Sequence, residues 1–257
     1  MAAFELSKWY LDCVDDEGDA AIVYTGSAHW GNVRLAYSGV LESQAGQVSM
    51  RHSIGRQAEP RFEDGVLRWG NDALGFRGEW RGDAAAQLQE TVYASEAGRI
   101  EWHCLLPSAK AEAGTRRGRG YAEHLRMTVA PWALPIRTLR WGRFLSESEW
   151  MVWIDWEGGF SQRIVYRNGQ RVSVATVEDA RLVFEDGAML VMDQSLVLRN
   201  GALGSKALSA IPGARLLLPR RLLGVMECKW RSGARLDQGE KPSVAGWAIH
   251  ERVDWPE

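Results

Sequence analysis

The chain has 257 residues, a formal net charge of -2 and 25% charged side chains. This near-neutral balance gives no field to draw it to nucleic acid or to an acidic membrane, and no apolar run reaches the roughly 18 residues of a membrane-spanning helix. A chain of this length can bury a proper core as one large or two smaller β domains.

Residues 1–8 lack the basic start, apolar core and small-residue cleavage site of a secretory signal. Cys13, Cys104 and Cys228 are odd in number and far apart, which argues against a disulfide framework or a cysteine zinc site. A cytoplasmic location is the simplest reading. The compositional outlier is tryptophan, with 13 copies. Rings of that size either fill wide β cores or line a pocket for an apolar or cationic species.

Period-two segments and turn signals recur along the chain, with few helical patterns. Residues 8–14 and 20–25 flank an acidic turn. Residues 66–69 and 74–80 flank Gly70-Asn71-Asp72, and 90–94 and 100–106 flank Glu96-Ala-Gly98-Arg. Residues 164–167 and 170–174 surround Asn168-Gly169, a strong hairpin signal, and Glu185-Asp186-Gly187 marks another turn. Many short strands joined by tight turns predict antiparallel barrels or sandwiches. A break at 108–119, rich in Ala, Gly, Lys and Arg, divides the chain into two β units, 1–113 and 114–257. Pro131 to Pro135 form a second irregular connection. No fixed-period repeat or low-complexity tract appears.

Chemistry concentrates between Gly118 and Glu157. In a strand over 120–129, alternation places Tyr121, Glu123, Leu125, Met127 and Val129 on one face and Ala122, His124, Arg126 and Thr128 on the other. A carboxylate on an apolar face is desolvated, which disfavours its charged form, so Glu123 reads as a general acid, or as the base that recovers the proton. The competing reading pairs Glu123 with Arg143 on the next strand, which would hold it ionised. His124 lies on the polar face, and a β-bulge would turn it toward Glu123. In the C-terminal strand Trp247, Ile249, Glu251 and Val253 share a side, leaving Glu251 among apolar neighbours. Asp155 follows Met151 and Trp153 on one face, and Glu227 is expected to pair with Lys229 at the surface.

Other chemistries lack their signatures. Gly118-x-Gly120 has neither the further glycines nor the helix of a dinucleotide site, and no Gly-x-Ser-x-Gly elbow is present. The histidine spacings suggest no metal site. Trp102 and its neighbours carry no basic stripe for single-stranded nucleic acid.

Gly120-Tyr-Ala-Glu-His124, Trp141-Gly-Arg-Phe144, Gly246-Trp-Ala-Ile-His-Glu251 and the opening Lys8-Trp-Tyr-Leu-Asp12 with its acidic turn resemble the two-domain lipocalin-like family of the carotenoid 1,2-hydratases (hydroxyneurosporene synthases). Plant tocopherol cyclases and some fungal and bacterial cyclases are similar in architecture. Tyr121, Glu123 and His124 match the start of the family's central motif, while Leu125 and Arg126 replace its tail. The resemblance implies an all-β fold of two lipocalin-like antiparallel units packed together. It also implies acid–base chemistry without a cofactor on a hydrophobic, isoprenoid- or polyketide-like small molecule, by hydration, isomerisation or cyclisation. Glu123 would give the proton, and His124 would be its partner or the base for water. Tyr121 would orient the substrate, and Trp141 and Trp153 would shield positive charge. Arg143, Asp155, Trp247 and Glu251 complete the expected substrate-binding set. Lipocalin-like barrels often only bind, so a non-catalytic carrier of a hydrophobic molecule is the alternative, and a structural component of a larger complex a third reading.

Overall fold

The computed structural model describes residues 4–55, 58–202 and 220–256; the first three residues of the N-terminal stretch fall outside it. The protein is all-β and divides into two compact units, Met1–Leu134 and Pro135–Glu257.

The first unit runs β1 (Phe4–Val14), β2 (Ala20–Trp30), β3 (Val33–Gln44), β4 (Gln47–Ile54), β5 (Arg61–Glu63), β6 (Val66–Asn71), β7 (Phe76–Gly82), β8 (Leu88–Ser95), β9 (Gly98–Ala113) and β10 (Arg116–Met127). These make one curled antiparallel sheet of order β4-β3-β2-β1-β10-β9-β7-β6-β5, with β8 also paired to β9. The second unit runs β11 (Ile136–Ser146), β12 (Trp150–Gly158), β13 (Gln162–Arg167), β14 (Gln170–Arg171), β15 (Val174–Val177), β16 (Arg181–Phe184), β17 (Met189–Ala202), β18 (Met226–Gln238) and β19 (Lys241–Asp254). Its order is β14-β13-β12-β11-β19-β18-β17-β16-β15. In both units the first strand pairs with the last, as in a lipocalin-like meander.

The turns follow their residues. Asn168 and Gly169 have φ of 49° and 81°, the left-handed pair that a two-residue hairpin needs. Asp15 accepts from the backbone N–H of Asp19 at 2.8 Å and closes the acidic turn after β1.

The stretch 108–119, expected as a linker, is instead the β9–β10 hairpin, and the division between units falls at Pro131–Pro135. Small residues there allow close strand approach rather than flexibility. A Cβ on Gly120 would lie 2.5 Å from the Asp12 carbonyl oxygen and 2.7 Å from the Trp80 ring. Trp80 is fully buried and donates its indole N–H to that same oxygen at 2.6 Å.

Each unit has its own core. Leu11, Val23, Leu67, Trp80, Leu106 and Ala122 belong to one, and Phe144, Trp153, Leu182, Leu190, Leu236 and Ala248 to the other. Each large apolar side chain so buried contributes on the order of 2 kcal/mol. Although no long-range period exists, a short motif does recur. Gly-aromatic-Ala-x-His occurs at 120–124 in β10 and at 246–250 in β19, the last strand of each unit.

Candidate functional site

Glu123 sits in the middle of β10, between β1 and β9. It is 9% exposed. Its Oε2 accepts from the Tyr121 hydroxyl at 2.6 Å and from the Trp102 indole N–H at 2.5 Å. Tyr121 is two residues away on the same face, as alternation requires. Trp102 reaches the site because β9 sets it opposite Leu125. Cross-strand pairing adds Tyr10 and Cys104 opposite Glu123, and Asp12 opposite Tyr121. Tyr10 contacts Tyr121 and Tyr24 edge-on, with ring centres 6.1 and 5.6 Å apart.

Burial sets the protonation of the neighbours. It pushes the Tyr121 phenol well above its ordinary value, helped by Cys104 and Glu123, so Tyr121 keeps its proton and donates. Cys104 is likewise pushed up, mainly by burial, and stays a thiol. Two donors thus converge on one oxygen of Glu123.

His124 lies on the opposite face. The β1–β10 register is unbroken from Leu6 and Met127 to Val14 and Arg119. The register shifts occur against β9, where Ala122 faces Leu106 and Glu123 faces Cys104, so the additional residues belong to β9. The bulge that would turn His124 toward Glu123 is thus absent from β10. Instead, His124 Nε2 lies 2.8 Å from Ser7 Oγ, and its ring stacks on Trp9 at 4.3 Å. Burial lowers its pKa to about 4, helped by the charges of Arg126 and His103.

The remaining candidates belong to the second unit. The strands beside β10 are β1 and β9, whereas Arg143 lies in β11 between β12 and β19. Arg143 is fully buried and donates to the Trp247 carbonyl at 2.8 Å. Trp141, Arg143, Trp247 and Glu251 share one sheet face through the β11–β19 register. Glu251 is not isolated among apolar groups: it forms an ion pair with the buried Lys229, whose Nζ is 5.2 Å from the Trp141 ring centre. Glu227 and Lys229 are both buried rather than at the surface, and Glu227 pairs with Arg199 at 3.1 Å. Trp153 and Asp155 occupy the other face. Trp153 joins the core, and Asp155 is held by Arg163 at 2.8 Å and approached by Arg140 at 3.8 Å.

Trp102, Tyr10 and Asp12 are absent from the sequence-derived set. Alternation in β1 could have placed Tyr10 and Asp12 on one face, but nothing local to the sequence pairs that face with Glu123. Among the described residues, no group of three or more His, Cys, Asp or Glu side chains is placed to hold a metal ion, and no helix is long and apolar enough to cross a membrane.

No protein-family model matches the chain, and no curated protein matches it. Solved structures do. The crystal structure of CghA with Sch210972 aligns at a TM-score of 0.55 and 12% identity, covering 98% of this chain and 88% of that one. A Nitrosomonas europaea protein described as an AttH aligns at a TM-score of 0.57 and 11% identity, covering 96% and 92%. At this identity the likeness is one of fold, and the chain shares with these proteins the lipocalin-like architecture to which its motifs point.

Proposed function

We propose that this chain is a cofactor-independent acid–base enzyme acting on a hydrophobic small molecule by hydration, isomerisation or cyclisation, with Glu123 moving the proton. The observation that carries this reading is a buried carboxylate oxygen held by two fixed donors, Tyr121 and Trp102, opposite Tyr10, whose ring meets those of Tyr121 and Tyr24. A preorganised acceptor in aromatic surroundings suits removal of a proton next to a developing cation, since ring faces stabilise positive charge. Glu123 takes a proton from the substrate or its attacking water on one carboxylate oxygen and returns it to another substrate carbon, so no net proton is gained or lost. Tyr121 and Trp102 hold the carboxylate through Oε2, and the tyrosine rings shield positive charge. The shared fold with CghA, crystallised with Sch210972, supports a small-molecule role. His124, on the opposite face, has no direct part in this step.

The test compares wild type and Glu123→Gln on a panel of unsaturated isoprenoids and polyketides in deuterated water. Gain of one water, or deuterium uptake without mass gain from water, reports hydration or isomerisation; a changed retention time at constant mass reports cyclisation. The expected result is product from wild type and at least a hundredfold less from the variant, with binding retained in both. Equal turnover in the variant would remove Glu123 from the mechanism. Stoichiometric binding with no product from either protein would make the chain a carrier.

A further inference from the structure

Among the described residues, four non-glycines have positive φ: Ala45, Asp64, Asn168 and Gln194. The first three each precede a glycine in a hairpin turn, where such a backbone is ordinary. Gln194, at φ 47°, instead lies within β17, at a register break between Asp193 and Leu196. Left-handed backbone at a non-glycine inside a strand is costly and tends to occur at functional positions.

The next residue, Ser195, is exposed. Its Oγ lies 2.7 Å from Ser232 Oγ, which lies 2.8 Å from His250 Nε2. Ser232 is fully buried and His250 is 5% exposed. The imidazole stacks on Trp230 at 5.1 Å with 23° between the planes, which fixes its orientation. A continuous chain of exchangeable protons thus runs from a surface hydroxyl to a buried imidazole. Burial lowers the His250 pKa to about 4; Asp179 and Glu251 oppose that shift and Lys229 adds to it. The ring is therefore neutral at neutral pH and able to accept a proton, with Asp179 and Glu251 nearby to offset the charge. An exposed serine beside a left-handed residue at a strand irregularity, linked to a histidine through a second hydroxyl, presents a hydroxyl with a path for its proton.

We propose that Ser195 is a reactive hydroxyl that takes acyl or phosphonyl groups from activated esters, its proton passing through Ser232 to His250. Ser195 Oγ bonds to the acyl carbon and the bond to the leaving alkoxide breaks. The Ser195 proton moves to Ser232 Oγ as the Ser232 proton moves to His250 Nε2, and the alkoxide leaves as an alcohol on taking a proton from Ser232 Oγ, which is reprotonated by the imidazolium. Water then hydrolyses the acyl-serine. With a fluorophosphonate, the oxygen–phosphorus bond forms, fluoride leaves and the proton remains with His250. Ser195 contacts the substrate, whereas Ser232 and His250 act through it. The site lies in the second unit and is independent of Glu123.

The full-length protein is treated with a biotinylated fluorophosphonate and mapped by peptide mass spectrometry. A single adduct on the peptide containing Ser195 is expected, lost in Ser195→Ala. The labelling rate should fall at least tenfold in Ser232→Ala and in His250→Gln. Circular dichroism checks that each variant folds, and should His250→Gln fail, Ser232→Ala, which removes one buried atom, carries the test. No adduct at Ser195, labelling only after denaturation, or an unchanged rate in folded Ser232→Ala would overturn the proposal.

Discussion

Glu123 and His124 are neighbours in the chain but occupy opposite faces of β10. The carboxylate accepts from Tyr121 and Trp102, while the imidazole meets Ser7 and stacks on Trp9. One strand thus supplies two polar centres whose surroundings are separately built, and each can be perturbed without touching the partners of the other.

The Glu123 centre should behave as a coupled set. Tyr121→Phe and Trp102→Phe each leave the buried oxygen short of a donor, at a cost of about 1–3 kcal/mol. Combining Tyr121→Phe with Glu123→Gln should cost less than the sum of the single changes, with a coupling of at least about 0.5 kcal/mol. Urea denaturation of the four proteins in that cycle measures this. Strict additivity would mean that the Tyr121–Glu123 contact has no energetic weight.

How far the sequence was legible depends on which kind of information each feature needed. Hairpins at Asn168-Gly169 and after Val14 are local, so turn chemistry and alternation revealed them. The boundary at 113 misread small residues. Ala109, Ala111 and Ala113 are 5%, 3% and 0% exposed, and a Cβ on Gly118 would sit 2.7 Å from the Cα of Asp15. They are small because strands press together, a composition that from sequence looks like a linker. The face carrying Glu123 and Tyr121 was also legible, because alternation fixes it. Strand neighbours were not: β10 pairs with β1, more than a hundred residues earlier, so Tyr10 entered the site unseen, and Arg143 was expected opposite Glu123 although its strand, β11, pairs with β12 and β19.

Acid should weaken the fold through its buried histidines. The His250 pKa is about 4 in the folded protein and about 6.5 when unfolded. Above pH 6.5 neither state is protonated there, so the histidine adds no pH dependence. Between about 6.5 and 4 the unfolded chain binds a proton that the folded one does not, so stability falls as pH falls. The full effect of His250 is roughly 3 kcal/mol. His124, also lowered to about 4 but more exposed, adds a smaller part in the same direction. Urea midpoints at steps between pH 7.5 and 4 should decline across this window, with a shallower slope in His250→Gln. An identical slope in that variant would show that His250 protonates normally in the folded state.

The two recurring glycines should be intolerant of a methyl group. On Gly246 a Cβ would collide with the Leu145 carbonyl oxygen and come within 2.8 Å of Phe144. On Gly120 it would meet Ala111 at 2.6 Å and Trp80 at 2.7 Å. Gly233 is the contrast, since its nearest neighbours would be at ordinary distances of 3.6 to 3.8 Å. Gly120→Ala and Gly246→Ala should each cost about 1–3 kcal/mol, whereas Gly233→Ala should leave thermal stability nearly unchanged. Equal melting temperatures for Gly246→Ala and Gly233→Ala would mean that β19 can move away from β11 at little cost.

Asp155 is expected to serve stability rather than ligand recognition. Its carboxylate is 3% exposed, bound by Arg163 and approached by Arg140, and Arg140 also holds Glu157 at 2.9 Å and Asp179 at 3.0 Å. Removing one member of a buried ion pair strands its partner's charge, which typically costs about 3–5 kcal/mol. Because Arg163 is partly exposed and Arg140 keeps two other carboxylates, Asp155→Ala should fall at the low end of that range. Asp155→Asn, which retains an acceptor for Arg163, should cost less. Ligand affinity measured below the melting transition should match wild type in both variants. A variant with unaltered stability but weakened binding would return Asp155 to the substrate-binding set and make its arginine contacts incidental.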